Sequence, residues 1–101
     1  MLNTQLRKRL RAIAHHLDPV VSIGDGGVST GVVDETNRAL RDHELIKAKL
    51  HSEDRDERKA QGEALCEETG AVVVQRIGKT LVLYRTNPDA DPRLSNVQRY
   101  K

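Results

Sequence analysis

The apolar residues of this chain change their spacing several times, from the period of a helix to that of a strand and back. Near the start they recur three to four positions apart, which predicts one face of a helix, at Leu6, Leu10, Ile13, Ala14 and Leu17. Residues 20–23 are rich in β-branched side chains, and residues 45–50 alternate as in a half-buried strand. Ser29 and Asp54 are placed to cap two more helices, and Gly70 is placed to end the second. The chain is therefore predicted to alternate helices with strands.

Two β-rich runs close the alternating region and predict a hairpin. Residues 71–77 and 80–85 flank the pair Gly78–Lys79, which suits a tight turn. The predicted order is α-β-α-β-α-β-β. Right-handed crossovers through the second and third helices would make the first three strands parallel, and the last strand would return antiparallel. The predicted fold class is α/β, a single domain with a mixed four-stranded sheet and three helices.

The length and composition fit one small domain. The chain has 101 residues, of which 37% are apolar and 32% charged, and it contains neither Trp nor Phe. The lone Cys66 excludes an intramolecular disulfide, and no apolar run approaches the roughly 20 residues of a membrane span. We expect a soluble cytoplasmic protein. From Asn87 onward, prolines and polar residues predict a loose segment, so the domain is assigned to residues 1–86 and a flexible C-terminal tail to residues 87–101.

The net charge of +2 hides a separation of charge along the chain. The first 17 residues hold four basic residues and no acid, residues 34–69 hold 11 acidic against 7 basic residues, and residues 70–101 hold 6 basic against 2 acidic residues. Basic ends therefore flank an acidic middle. Such a separation can create a local positive field for a polyanion, although ordinary surface patterning gives the same counts.

No residue pattern indicates catalysis, a metal or a cofactor. No two of the four histidines have the H-x-x-x-H spacing, and Cys66 has no C-x-x-C partner. Cys66 is assigned to packing in the third helix. The acid pairs are adjacent in sequence and do not converge on one helix face. We expect a protein that is not an enzyme and needs neither a metal nor a cofactor.

A glycine-rich loop and several cations are the candidate binding residues. The loop Gly24-Asp25-Gly26-Gly27 lies between a predicted strand and a predicted helix, where free backbone N–H groups can meet an anion, although a plain turn has the same sequence. Arg7 and Arg11, with His15, would form a basic stripe on the first helix. With only Tyr84 and Tyr100, binding by base stacking is excluded, and contacts must be to phosphates. The remaining candidates are Lys47, Lys49, Arg76, Lys79 and Arg85.

Four segments together resemble the CRM-domain family, in its stand-alone bacterial YhbY-like form. They are residues 20–28, the HELIKAK run at 43–49, the ETGA run at 68–71 and the QRIGKTLVLYR run at 75–85. The resemblance implies an RNA-binding domain with a KH-like G-x-x-G loop at Gly24–Gly27, similar in fold to the C-terminal domain of translation initiation factor 3. It also implies an association with precursors of the large ribosomal subunit. Asp25 departs from the basic or neutral residue that many members carry in this loop.

Two functions follow as hypotheses. The first is a monomeric RNA-binding protein that holds ribosomal RNA during large-subunit assembly through phosphate contacts at the loop and the basic residues. The alternative is a protein-interaction adaptor in which the basic stripe of the first helix meets an acidic protein surface and the glycine loop is only a turn.

Overall fold

The computed structural model describes residues 2–100 and contains four helices and four strands. The elements in chain order are α1 Thr4–Ala14, β1 Pro19–Ile23, α2 Thr30–His43, β2 Leu45–Leu50, α3 Arg55–Thr69, β3 Val72–Ile77, β4 Thr80–Tyr84 and α4 Asn96–Arg99. The predicted order of the first seven elements is confirmed. The short helix α4 was not predicted.

Local sequence signals begin and end these helices as expected. The Ser29 side chain caps α2 by accepting from the Val32 amide, and the Asp54 side chain caps α3 by accepting from the amides of Asp56 and Glu57. Gly70 ends α3 in the left-handed conformation, with φ of 75°. A side chain there would be strained, which is why a glycine fits this C-cap.

The sheet has the strand order β1-β2-β4-β3. β1 pairs parallel with β2, while β4 runs antiparallel to both β2 and β3. The first three strands thus share one direction, and the last strand of the hairpin lies between β2 and β3. This is the predicted mixed four-stranded sheet. The pairing of β3 with β4 shifts register between Val73 and Gln75, a bulge that the sequence did not indicate.

The two faces of the sheet carry separate apolar clusters, because successive residues of a strand point to opposite sides. On one side α1 covers one cluster, whose buried members are Leu10, Ile13, Ala14, Leu45, Val74 and Val82. On the other side α2 and α3 cover a larger cluster, whose buried members are Val21, Ile23, Leu40, Ile46, Ala48, Leu50, Leu65, Ala71, Leu81 and Leu83. The two α1-side positions of β2 that this packing leaves half-buried are occupied by Lys47 and Lys49.

The segment after Arg85 makes specific contacts with the domain, in contrast to the loose arrangement predicted for residues 87–101. Ser95 and Asn96 are buried. The Ser95 hydroxyl donates to Glu44 Oε1 at 2.9 Å, and Asn96 Nδ2 donates to the Leu45 carbonyl at 2.7 Å. The expectation of a loose segment is corrected to this extent, because these hydrogen bonds hold Ser95 and Asn96 in place and Val97 packs against the α1-side cluster. Its motion in solution stays a prediction, and Lys101 lies outside the described residues.

Candidate nucleic-acid interface

The glycine-rich loop and the hairpin turn meet at one end of the sheet. The loop at residues 24–27 follows the last residue of β1, and the parallel strand β2 ends beside it, where the His51 amide donates to the Ile23 carbonyl at 3.0 Å. The Leu50 amide in turn donates to the carbonyl of Lys79, at the tip of the hairpin, at 2.7 Å. The fold therefore brings the predicted loop and Lys79 to the same edge.

The loop is a tight turn that leaves backbone donors free. Its ends are joined by a hydrogen bond of 3.0 Å from the Gly27 amide to the Gly24 carbonyl, and Gly27 has a left-handed φ of 64°. The Asp25 and Gly26 amides donate to no residue within the described chain. A Cβ added at Gly24 or at Gly26 would meet no atom within 4 Å. The glycine backbone is thus open to a ligand at the N-terminal end of α2, which favours an anion.

Two lysines of β2 lie on the α1 side of the sheet and close to this end. In the pairing with β4, Lys47 lies opposite Val82 and Lys49 opposite Thr80, while Lys49 also pairs with Ser22 of β1. Both lysines are half-buried. Of the ion pairs formed among residues 2–100, none involves either lysine. Their ammonium groups are therefore available to an external anion.

The end of α1 adds further polar groups beside Lys47. Arg11, His15 and Gln75 line one small depression together with Lys47 and Ile77, and the Ile77 side chain is half exposed. We call this surface the basic face and define it as Arg11, His15, Lys47, Lys49 and Gln75. Three residues predicted as binding residues lie on this face, namely Arg11, Lys47 and Lys49. The face also includes His15, which the four-residue spacing indicated, and Gln75, for which the sequence carried no signal.

Two of the arginines predicted as binding residues form hydrogen bonds within the domain. Arg7 Nη1 donates to the carbonyls of Val73 and Val74 at 2.9 and 2.8 Å, where the bulge of β3 frees them. Arg85 Nη1 donates to Asn37 Oδ1 and to the Thr69 carbonyl, both at 2.8 Å, so it ties β4 to α2 and to the end of α3. These contacts give both arginines structural roles, and neither arginine belongs to the basic face.

Replacing Arg7 by alanine is expected to lower the free energy of unfolding by about 1–3 kcal/mol, because two partly buried carbonyls at the bulge would lose their donor. Chemical denaturation of Arg7→Ala beside Arg11→Ala measures this. Arg11 is exposed and donates no side-chain hydrogen bond within the described residues, so its variant should stay close to the unmodified protein. Equal stabilities for the two variants would contradict the structural role of Arg7.

The hydrogen bonds of Arg7 to the β3 carbonyls also affect the predicted basic stripe. Of its three members only Arg11 and His15 remain exposed, next to Lys47. Two members of the stripe are thus free of side-chain hydrogen bonds within the described domain, and the guanidinium of the third is engaged with the β3 carbonyls. The positive charge is shared between α1 and the sheet.

The remaining two predicted cations lie in different surroundings. Lys79 forms an ion pair with Glu53 at the sheet end, and this hydrogen bond lowers the pKa of the Glu53 carboxyl. Arg76 lies opposite Leu81 in the hairpin register and points to the α3 side, away from Lys47 and Lys49. It lines an open cleft with Arg55, Arg58 and Lys59 of α3, three cations that the sequence analysis did not single out. Their only sequence signal was their common spacing on one helix face.

Neither a metal site nor a reactive thiol emerges from the described part of the chain. Within residues 2–100 no three His, Cys, Asp or Glu side chains come together as a metal cluster. Cys66 packs against the core on the α2–α3 side, and burial raises the pKa of its thiol.

Tyr84 is half-buried and packs against the α1-side cluster, so its ring is not free for stacking. No helix of the described chain is long and apolar enough to span a membrane.

Comparison with known proteins gives consistent matches over nearly the whole chain. Residues 2–85 match the model of the CRS1 / YhbY (CRM) domain. A Pseudomonas aeruginosa protein named a probable RNA-binding protein is 42% identical over 99 residues, which is 98% of this chain and 95% of the relative. A Haemophilus influenzae protein named an RNA-binding protein is 43% identical, over 92% of this chain and 94% of the relative.

A solved structure has the same fold. The solution structure of a hypothetical protein from Staphylococcus aureus superposes with a TM-score of 0.78 and 33% sequence identity, over 90% of this chain and 95% of that one. A Bacillus subtilis protein named a probable RNA-binding protein is 34% identical over 88% of this chain and 93% of its own length. The matches therefore cover the loop, the basic face and the hairpin together.

Proposed function

This chain belongs to the CRS1 / YhbY (CRM) domain family, and from that membership we propose that it binds RNA through the basic face and the glycine-rich loop. The observation that carries the proposal is the placement of Lys47 and Lys49. They lie unpaired on the part of the sheet next to the open loop and beside Arg11. Relatives that are 42% and 43% identical are named RNA-binding proteins, which supports the same ligand here.

The proposed mode of binding rests on phosphates. Lysine and arginine side chains that replace the counterions of RNA supply affinity without reading sequence. The N–H groups of Asp25 and Gly26 and the positive end of the α2 dipole would hold one phosphate close to the backbone. Exposed Asp25 opposes this contact electrostatically, so Lys47 and Lys49 are assigned the larger share. The function proposed is binding, with no catalytic step.

The resemblance to the stand-alone bacterial members of the family extends the proposal to a particular RNA. We propose that the ligand is ribosomal RNA in the precursor of the large subunit, and that the protein acts as a monomer in the cytoplasm. Sedimentation of the tagged protein from a bacterial lysate, with sequencing of the RNA in each fraction, tests this. Enrichment of precursor large-subunit RNA at low salt and its loss at high salt is expected. A protein found only in RNA-free fractions would contradict the proposal.

Neutralising Glu53 is expected to strengthen RNA binding. The carboxylate pairs with Lys79 at the edge of the sheet, so Glu53→Gln would free the ammonium and remove a charge that repels phosphates. Because this ion pair is exposed and screened by salt, the expected gain in affinity is at most a few-fold at low salt. Fluorescence anisotropy with a labelled RNA measures it. Glu67→Gln, an exposed acid near the C-terminal end of α3, is the matched control. Weaker binding by Glu53→Gln would show that the ion pair itself shapes the site.

A further inference from the structure

The cleft between α3 and the β3–β4 hairpin has a lining in which cations outnumber acids. Its volume is about 620 Å³. Four of its lining side chains are cationic and one is acidic, namely Arg55, Arg58, Lys59, Arg76 and Asp56. It opens on the α3 side of the sheet, opposite to Lys47 and Lys49, and Gly78 of the hairpin turn forms part of its wall.

The cations of this cleft have few partners within the protein. Arg58 Nη1 donates to the Ser52 carbonyl at 2.8 Å, which fixes that guanidinium without neutralising it. The ion pairs formed among residues 2–100 include none of the four. Among the nearby acids, Glu53 pairs with Lys79 and Asp54 caps α3, while Asp56 lines the cleft without forming an ion pair with its cations, so the lining keeps a net positive charge. The positive charge of the cleft is therefore left for an external anion.

A glycine inside α3 makes room for one of these cations. A Cβ at Gly62 would lie 3.0 Å from Arg76 Nη1 and 3.2 Å from Leu81 Cδ2. The guanidinium of Arg76 thus lies close to the backbone of α3, and a side chain at position 62 would press on it and on Leu81. A glycine in a helix interior destabilises the helix relative to alanine. Gly62, the residue that weakens α3, is therefore the position against which the Arg76 guanidinium lies.

The arrangement on α3 also costs stability. Arg55 and Lys59 are four residues apart, and like charges at this spacing destabilise a helix. Features that lower stability in this way concentrate at functional sites. An anion between these side chains would remove the repulsion. A guanidinium group can donate two parallel hydrogen bonds to the oxygens of one phosphate.

We propose that this cleft is a second phosphate-binding site, which holds the backbone of a single-stranded segment adjoining the RNA on the basic face. The inference rests on the proposed function. The two sites lie on opposite sides of the sheet and are joined at the hairpin turn, where Lys79 and Gly78 lie between them. An RNA strand that passes over this end of the sheet reaches both. A longer RNA therefore gains contacts that a short RNA does not make.

The double variant Arg55→Ala/Lys59→Ala tests the proposal with RNAs of two lengths. Both side chains are exposed, so the fold should be kept. Fluorescence anisotropy is measured with single-stranded RNAs of about 4 and about 12 nucleotides, within the range of site sizes of small single-strand-binding domains. We expect at least about fivefold weaker binding of the longer RNA and no change for the shorter one. The slope of log K against log salt should fall by about 1.4 for the longer RNA, since each contact to a single strand contributes about 0.7.

The controls separate this inference from the proposed function. Arg38→Ala/Arg41→Ala removes two exposed cations of α2 outside both sites and should change neither affinity. Unchanged binding of the longer RNA by the cleft variant, or equal losses for both lengths, would overturn the second site while leaving the basic face in place. Absence of binding by the unmodified protein would overturn the proposed function itself, and the cleft as a site for RNA with it.

Discussion

Replacing Lys47 and Lys49 together by alanine is expected to weaken RNA binding by about tenfold or more at low salt. The two ammonium groups lie on the basic face with no carboxylate partner among the described residues, so their positive charge is available to phosphates. Loss of two phosphate contacts should lower the slope of log K against log salt by about 1.4. Anisotropy titrations over a series of salt concentrations measure both quantities.

Two further variants make this result specific. The aliphatic stems of Lys47 and Lys49 are half-buried, so alanine also removes packing, whereas Lys47→Gln/Lys49→Gln keeps most of each stem and removes only the charge. Both double variants should bind equally weakly. Arg38→Ala/Arg41→Ala on α2 should retain the affinity and the slope of the unmodified protein. An unchanged salt slope in the lysine variants would count against the basic face.

Replacing Glu44 by alanine is expected to lower the free energy of unfolding by about 2–3 kcal/mol. The side chain is 5% exposed, and its Oε1 and Oε2 accept from the Ser95 hydroxyl and the Asn87 amide, each at 2.9 Å. Alanine would leave the buried Ser95 hydroxyl and the partly buried Asn87 amide without their acceptors, at about 1–3 kcal/mol for each group. The loss is moderated because residues 87–100 can move away and let water reach both donors. Chemical denaturation measures the stability, and hydrogen exchange measures the release of the segment.

The conservative variant at this position provides the control. Glutamine keeps one side-chain oxygen as an acceptor, so Glu44→Gln should lose less stability than Glu44→Ala. The backbone at Glu44 has a positive φ of 60°, and glutamate, glutamine and alanine all carry a Cβ there, so backbone strain is not expected to distinguish the variants. Equal stability of Glu44→Ala and the unmodified protein, with unchanged exchange in residues 87–100, would show that the carboxylate does not hold the segment.

Local patterns predicted most of the fold because the information for it is local. The alternation at residues 45–50 matches β2 to the residue, and the Gly78–Lys79 pair forms the hairpin turn. Ser29, Asp54 and Gly70 act within one turn of their own helix ends. The order of short connections then restricts the sheet to few arrangements.

The roles of the arginines could not be predicted in the same way. A cation on a helix face has the same sequence signature whether it meets solvent or a carbonyl. The acceptors of Arg7 are exposed by a bulge 66 and 67 residues further along the chain, and the acceptors of Arg85 belong to two other helices. The sequence therefore indicated a set of cations, and only the tertiary structure divides it into the basic face, the cleft and the structural arginines.

The contacts of the C-terminal segment could not be predicted for a related reason. Its composition is polar, and a polar composition normally indicates that a segment cannot bury enough apolar surface to pack. Here the contacts are hydrogen bonds to groups about 51 residues away, at Glu44 and Leu45, and the packing of Val97 against the α1-side cluster. Such pairs leave no periodic signal in the sequence.

The most direct test of the basic face is an NMR titration of the isotope-labelled protein with a fragment of large-subunit precursor RNA. The amide signals of residues 22–27, 47–49 and 75–79 are expected to shift at low salt and to recover at high salt. Signals from the exposed residues of α2 beyond its first turn should stay in place. Shifts confined to α2 and the C-terminal segment, with none at Lys47 or Lys49, would contradict the central claim that this protein holds RNA on the α1 side of its sheet.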